Sequence, residues 1–139
     1  MVAINNSTVR QNLFETVYDT LKAHATSSSY GTSTQPTIVA QYVDDTKAMP
    51  EIVVHPANVD TGEWTFNRSN NQQNINLMVE VYTTKNKDVD VLSDDIYILL
   101  TTNKITGAML IAHNETTSVS ITNNNKIRNK VMNFTYQRR

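Results

Sequence analysis

Two segments of the chain carry apolar residues at helical spacing. Within residues 7–25, Leu13, Val17 and Leu21 recur at every fourth position, and polar or charged residues fill the other faces. A stripe with this period predicts an amphipathic helix that buries one side. Residues 88–100 repeat the pattern, with acidic residues gathered early, where they suit the positive end of a helix dipole. The sequence therefore predicts two helices.

Other segments have the composition or the period of β-strands. Residues 37–43 and 51–55 are rich in β-branched and aromatic side chains, which favour extended backbone. Residues 73–84 give the clearest strand, because apolar and polar side chains alternate strictly along them and only one face is buried. Two closing strands are predicted at residues 105–113 and 130–137, with 118–121 as a candidate short strand.

The predicted order is helix, three strands, helix and two strands. The simplest architecture for this order is an α+β fold in which two helices pack on one face of a mainly antiparallel sheet. With 139 residues the chain has the usual size of one domain, so residues 1–139 are expected to share a single core. For residues 56–72 the sequence predicts a long excursion or a flexible hairpin, and long loops in small domains are more often functional or disordered than idle.

The charge balance excludes several classes of partner. The chain has 12 Lys and Arg against 13 Asp and Glu, a formal net charge of -1. Nucleic acid and anionic membranes are normally met by a clustered excess of basic residues, which is absent here. The sequence has no cysteine, which excludes disulfides and thiolate chemistry, and no run long enough for a membrane span or a signal peptide. We therefore expect no membrane partner and stability that comes from packing or association.

The residues that could bind a metal lack suitable spacing. His24, His55 and His113 are far apart in sequence, and no pattern directs two of them at one ion. Four aspartates between residues 88 and 95 invite a calcium interpretation, but the glycine turn and terminal glutamate of a calcium loop are missing. A helix start with a solvated face explains these acids better. We expect neither a metal nor another cofactor.

No catalytic centre can be assembled from the sequence. A serine nucleophile needs a base and an orienting acid, and there is no Gly-x-Ser-x-Gly turn in a chain with three glycines. The same scarcity excludes glycine-rich phosphate loops. Acid pairs such as Asp44 and Asp45 leave a small hydrolase as an open alternative, but neighbouring residues tend to point apart. The sequence predicts that the protein is not an enzyme.

The C-terminal segment raises a second alternative, a small nucleic-acid-binding module. Basic residues there are interleaved with aromatic side chains, as in some single-strand-binding surfaces. The residues concerned are Lys126, Arg128, Lys130, Arg138 and Arg139, with Phe134 and Tyr136. Alternation along residues 130–137 favours a strand that buries its aromatic side chains and leaves the cations on the surface. No sequence-specific nucleic acid is therefore expected as a partner.

The central part of the chain resembles a known family. A long alternating strand, residues 75–83, passes through Lys87 and Asp88 directly into the helical pattern of residues 92–100. This passage, the size and the order of elements resemble the tail terminator (tail completion) proteins of long-tailed bacteriophages. The resemblance covers nearly the whole chain. The Asn- and Thr-rich surface and the polar stretch at residues 67–73 depart from the family pattern.

The resemblance implies a structural virion protein of the tail or neck. Members form a ring, usually of six subunits, on the end of a finished tail tube, stop its growth and offer the surface for head–tail joining. The implied partners are other copies of the chain, the tail tube protein and a head–tail connector or stopper protein. The implied location is the virion, after synthesis in the host cytoplasm. Another head–tail connector or neck protein of similar build is the alternative.

A ring of identical subunits needs two different contact surfaces on each subunit. Aromatic and Met side chains are enriched at the cores of such contacts. The candidate interface residues are Trp64 and Phe66 in the excursion, and Met78, Glu80 and Tyr82 on the more polar face of the long strand. The alternative for each residue is packing within its own subunit.

Overall fold

The computed structural model describes residues 6–27, 30–32, 35–40, 50–61, 73–103, 105, 108–122 and 125–138. These residues form two helices and six strands. In chain order they are α1 (Asn6–Ser27), β1 (Thr37–Ala40), β2 (Glu51–Val54), β3 (Asn58–Thr61), β4 (Gln73–Thr83), α2 (Asn86–Thr102), β5 (Ala108–Thr122) and β6 (Asn125–Arg138).

The strands form one sheet in the order β1-β2-β4-β6-β5. β2 and β3 pair with the same edge of β4, β3 with its first residues and β2 with its last. β1 and β2 are parallel, and every other pair is antiparallel. The predicted α+β class with a mainly antiparallel sheet is therefore confirmed.

The alternating pattern of β4 determines which face of the sheet is buried. Its apolar residues are at most 1 % exposed, and all but Val81, which lies opposite Lys130, lie opposite buried aromatic or Met residues of β6. Both helices turn their apolar stripes onto this face, which we call the helix face. The core contains Leu13, Val17 and Leu21 from α1; Ile75, Leu77, Val79 and Val81 from β4; Leu92, Ile96 and Leu100 from α2; and Met132, Phe134 and Tyr136 from β6. The other side is called the open face.

The polar segment after α1 is anchored by Tyr30, which is only 2 % exposed. Its hydroxyl donates a hydrogen bond to the carbonyl of Leu21 at 2.7 Å, and its ring meets His24 edge-on. Burial, with the nearby charge of Asp95, raises the pKa of Tyr30 well above its usual range. The Gly31 amide donates to Asp95 Oδ2 at 2.9 Å, which ties the segment to α2.

Two elements differ from the sequence prediction. The segment predicted as a long excursion or a flexible hairpin contains a short strand, β3, whose few residues have no clear period and are ordered by antiparallel pairing with β4. Residues 108–113 of the predicted strand 105–113 and the short candidate at 118–121 are instead parts of one continuous strand, β5, whereas Ile105 forms an isolated bridge with Ala108. The polar residues between them gave no strand signal because β5 is exposed on both faces. The loop at residues 67–72 lies outside the described residues, and Gln73 begins β4.

Candidate assembly surface

β5 is an edge strand whose described side chains are mostly exposed. α1 packs over β1, β2 and β3, and α2 packs over β4 and β6, so neither helix runs along β5. Among its apolar side chains, Met109 is 38 % exposed, Ile111 45 % and Val119 52 %. The β5–β6 hairpin also continues past the end of β4, since Thr83 is the last β4 residue paired with β6. Both faces of this strand are accessible.

Over residues 112–122, which follow a bulge between Leu110 and Ala112, the outer edge of β5 lacks the features that keep edge strands from pairing. Natural monomers protect such edges with Lys, Pro, bulges or very short strands. From residue 112 to 122 the strand contains no Lys, Arg or Pro, and its one carboxylate belongs to Glu115. The strand is rich in Thr, Ser and β-branched residues, which suit extended pairing. The outer edge of β5 has the character of a strand made to accept a partner.

A bulge near the start of β5 decides which side chains face the helices. The register shifts between Leu110, which pairs with Tyr136, and Ala112, which pairs with Thr135. A bulge adds one residue and reverses the alternation beyond it. His113 consequently lies opposite Phe134 on the helix face. Without the extra residue, His113 would lie on the open face.

A charge cluster lies where this face of the hairpin meets α2. Lys130 Nζ lies 3.0 Å from Asp90 Oδ1 and 3.3 Å from Glu115 Oε1, and it also contacts Ser93 Oγ at 3.3 Å. Its side chain is only 14 % exposed. Burial by itself lowers the pKa of Lys130, but the hydrogen bond to Asp90 and the charge of Glu115 raise it overall. The cluster joins β5, β6 and α2.

His113 adds an apolar contact beside the cluster. Its ring centroid is 4.9 Å from that of Tyr97 on α2 and 4.9 Å from that of Phe134 on β6. Nε2 lies 3.5 Å from Glu115 Oε2, a contact that becomes an ion pair when the imidazole is protonated but that lacks hydrogen-bond geometry as it stands. The ring contacts of His113 and the charge cluster together hold β5 against the helix face.

Replacing Lys130 with Met is expected to lower the free energy of unfolding by about 1.5–3 kcal/mol, because hydrogen bonds to charged groups contribute on this order. Because the pKa of Lys130 is raised in the folded protein, this contribution is fully present at pH values below the pKa of Lys130 in the unfolded chain. It is lost only as the pH rises through the pKa of Lys130 in the folded protein. Urea unfolding at neutral pH measures the effect. Asp90→Asn is the control, since Asp90 is 72 % exposed and its loss should cost less. Equal stability of wild type and Lys130→Met would contradict this role of the cluster.

The predicted interface residues of β4 lie on the open face, where they are partly buried. The Tyr82 hydroxyl donates to Glu80 Oε2 at 2.7 Å, and His55 Nε2 lies 3.2 Å from the same oxygen without hydrogen-bond geometry. Burial, followed by the hydrogen bond to Glu80, raises the pKa of Tyr82 well above its usual range. Glu80 and Tyr82 therefore contact each other within the subunit, and their role in an interface stays a prediction. Trp64 and Phe66 lie outside the described residues.

A cleft of about 340 Å³ opens on this face near Met78. Amide side chains dominate its polar lining, with Asn58, Asn76 and Asn133 around His55 and Met78. Thr135 Oγ1 donates to Asn76 Oδ1 at 3.0 Å, and Asn133 Nδ2 donates to Asn114 Oδ1 at 3.1 Å. These hydrogen bonds link side chains of neighbouring strands, so uncharged polar groups form a network across β4, β6 and β5 in this part of the open face.

The positions of the described side chains give little support to the metal-binding and nucleic-acid-binding alternatives. Within the described ranges, no three His, Asp or Glu side chains converge as metal ligands would. Phe134 and Tyr136, the aromatics of the nucleic-acid alternative, are 0 % and 2 % exposed, so they cannot stack on bases. Burial raises the pKa of Tyr136 to about 12. Lys130 is already paired with two carboxylates.

In the described part of the chain, neither helix combines the length and the apolar character needed to cross a bilayer.

Comparison with known proteins identifies the fold. No protein-family model matches the chain, and no curated protein matches it in sequence. A solved structure, the virion of a native gene transfer agent (GTA) particle, contains a chain with a similar fold, at a TM-score of 0.57 and 9% sequence identity. The match covers 90% of this chain and 94% of that chain. The likeness therefore extends over the whole fold, with almost no sequence in common.

Proposed function

We propose that this protein is a structural virion protein of a phage-like particle. In this role it forms a ring on the end of the tail tube, ends tube growth and provides the surface for head–tail joining. The observation that carries the proposal is the long outer edge of β5, which contains no Lys, Arg or Pro after its bulge. A second support is the similarity in fold, over 90% of this protein, to a chain in the virion of a gene transfer agent.

The physical features fit an assembly role without catalytic turnover. A monomer with a long, exposed edge that carries a single carboxylate and no Lys risks uncontrolled association, so such an edge is best explained by a partner in the finished particle. The ring of about six copies, the tail tube protein and a head–tail connector or stopper protein are the proposed partners, and the virion tail or neck is the proposed location. Another head–tail connector or neck protein is supported by the same fold likeness.

Mass photometry of the purified protein, followed by electron microscopy with tail tubes, tests the proposal. We expect a discrete species of about six subunits, or its appearance when tubes are added, and density confined to tube ends. Tubes assembled in the presence of the protein should stop at shorter lengths than tubes assembled alone. A strict monomer at high concentration that leaves tube ends bare would contradict the proposal. Binding to head connectors instead of tubes would favour the alternative neck protein.

A further inference from the structure

The two ends of the strand order differ in a way that suits a head-to-tail contact. Of the strands the structure describes, β1 ends the order on one side and β5 on the other. A ring requires two different surfaces that fit each other on neighbouring subunits. An edge strand can meet this need through its unpaired backbone groups, which bond a strand of the next chain.

Strand directions show what a continued sheet would look like. β1 runs parallel to β2 and therefore opposite to β4, whereas β5 runs in the direction of β4, because both are antiparallel to β6. A neighbour placed so that its sheet continues in the same orientation would bring its β1 antiparallel to β5. Antiparallel pairing is slightly more stable per residue than parallel pairing.

The chemistry of the two edges also agrees. β1 has the sequence Thr-Ile-Val-Ala, with no charge, and residues 112–122 of β5 carry one carboxylate, which the Lys130 contact turns toward the helix face. Neither edge opposes the other with like charge or with Lys. Both are rich in β-branched residues, whose cross-strand packing stabilises sheets. We propose that β5 of one subunit pairs antiparallel with β1 of the next copy, so that one sheet continues from subunit to subunit.

The register across the sheet defines which side chains would meet. Val39 pairs with Val53, Val53 with Glu80, Glu80 with Val131, and Val131 with Thr116. This row crosses the whole subunit on the open face. Adjacent strands are about 4.8 Å apart, so Val39 and Thr116 of one subunit are separated by roughly 19 Å. A disulfide needs Cα atoms within about 7 Å, so one between these positions must join two subunits.

Cysteine pairs test the contact directly, because the natural chain has no cysteine. Val39→Cys is combined in separate variants with Asn114→Cys, Thr116→Cys or Ser118→Cys, which share the open face and allow for register. After mild oxidation, at least one variant should give a covalent ladder on a non-reducing gel. Val39→Cys with Thr117→Cys is the matched control, because Thr117 points to the helix face and should not crosslink.

Three outcomes would overturn the inference, which rests on the proposed function. One is the absence of a crosslink in all three open-face variants while mass photometry shows intact oligomers. Another is a dimer from Thr116→Cys alone, which would show β5 pairing with β5. The third is crosslinking of Asn58→Cys with Ala112→Cys in place of the Val39 variants, which would assign the contact to β3. Failure of the proposed function is separate: the unmodified chain would then form no oligomer, even with tail tubes.

Charge on the edge gives a second readout. Thr116→Lys with Ser118→Lys installs the protection that monomeric edge strands use, and the oligomer should be lost while urea unfolding stays within error of wild type. Thr101→Lys with Thr102→Lys adds the same charge at the exposed C-terminal end of α2 and should leave the oligomer intact. Equal loss of oligomer in both variants would show that net charge, and not the β5 edge, controls assembly.

Discussion

Replacing Leu77 with Asp is expected to abolish cooperative folding. Leu77 is 1 % exposed, lies in the middle of β4 and pairs with Phe134 beneath both helices. An unpaired carboxylate there costs several kcal/mol, in addition to the lost apolar contacts. Domains of this size are stable by only about 5–15 kcal/mol, so most or all of the stability should be lost. Circular dichroism during urea titration should show no cooperative transition.

Met78→Asp is the matched control, because it puts the same charge on the next residue of the same strand. Met78 points to the open face and lines the cleft among amide side chains. The new carboxylate can stay hydrated, so the cost should be about 1 kcal/mol or less. If both variants lose folding to the same extent, Met78 is as important for the core as Leu77, and the assignment of the two faces of β4 is wrong.

The core could be predicted because β4 carries a complete signal. Its strict alternation fixes the buried face, and the helical stripes of α1 and α2 supply the layer that covers it. β5 carries no such signal, since Thr and Ser face solvent on both sides and periodicity requires one buried face. β3 is too short to show a period, and its order depends on the partner strand. Local sequence predicts an element well only where burial imposes a pattern.

The candidate site was predictable only in part. Alternation correctly assigned Met78, Glu80 and Tyr82 to the face away from the helices. Their contacts depend on β2 and its connection, because His55 reaches Glu80 only through the pairing of β2 with β4. The bulge in β5 has no sequence marker, and it alone places His113 and Glu115 on the helix face. Lys130 therefore looked like surface charge, although it lies between two carboxylates.

These differences bear on how assembly and folding are divided in the molecule. The helices pack on β1, β2, β3, β4 and β6 and stabilise that part of the sheet. β5 is held by its pairing with β6, by the charge cluster and by the contacts of His113. Stability of the core and availability of the edge are thus carried by different residues. Substitutions on the outer edge of β5 can change association without unfolding the subunit. Substitutions of buried residues that support the β5–β6 hairpin should change both association and the stability of the subunit.

Phe134→Ala should have the second largest effect, lowering the free energy of unfolding by about 3–5 kcal/mol. Phe134 is fully buried, pairs with Leu77 in β4 and His113 in β5, and packs its ring against the imidazole. Removing the ring leaves a cavity between core and hairpin, and His113 loses one of its two ring neighbours. Urea unfolding with a fixed m-value measures the loss.

Tyr97→Ala provides the control, because it removes the other ring that contacts His113. Tyr97 is 43 % exposed, so its truncation leaves no closed cavity and should cost about 1 kcal/mol or less. At a temperature where both variants are folded, the Phe134→Ala protein should also assemble less well than the Tyr97→Ala protein. In Phe134→Ala, β5 has lost its main support from the core. If Tyr97→Ala is as destabilised as Phe134→Ala, the hairpin is held mainly by α2 and not by β6.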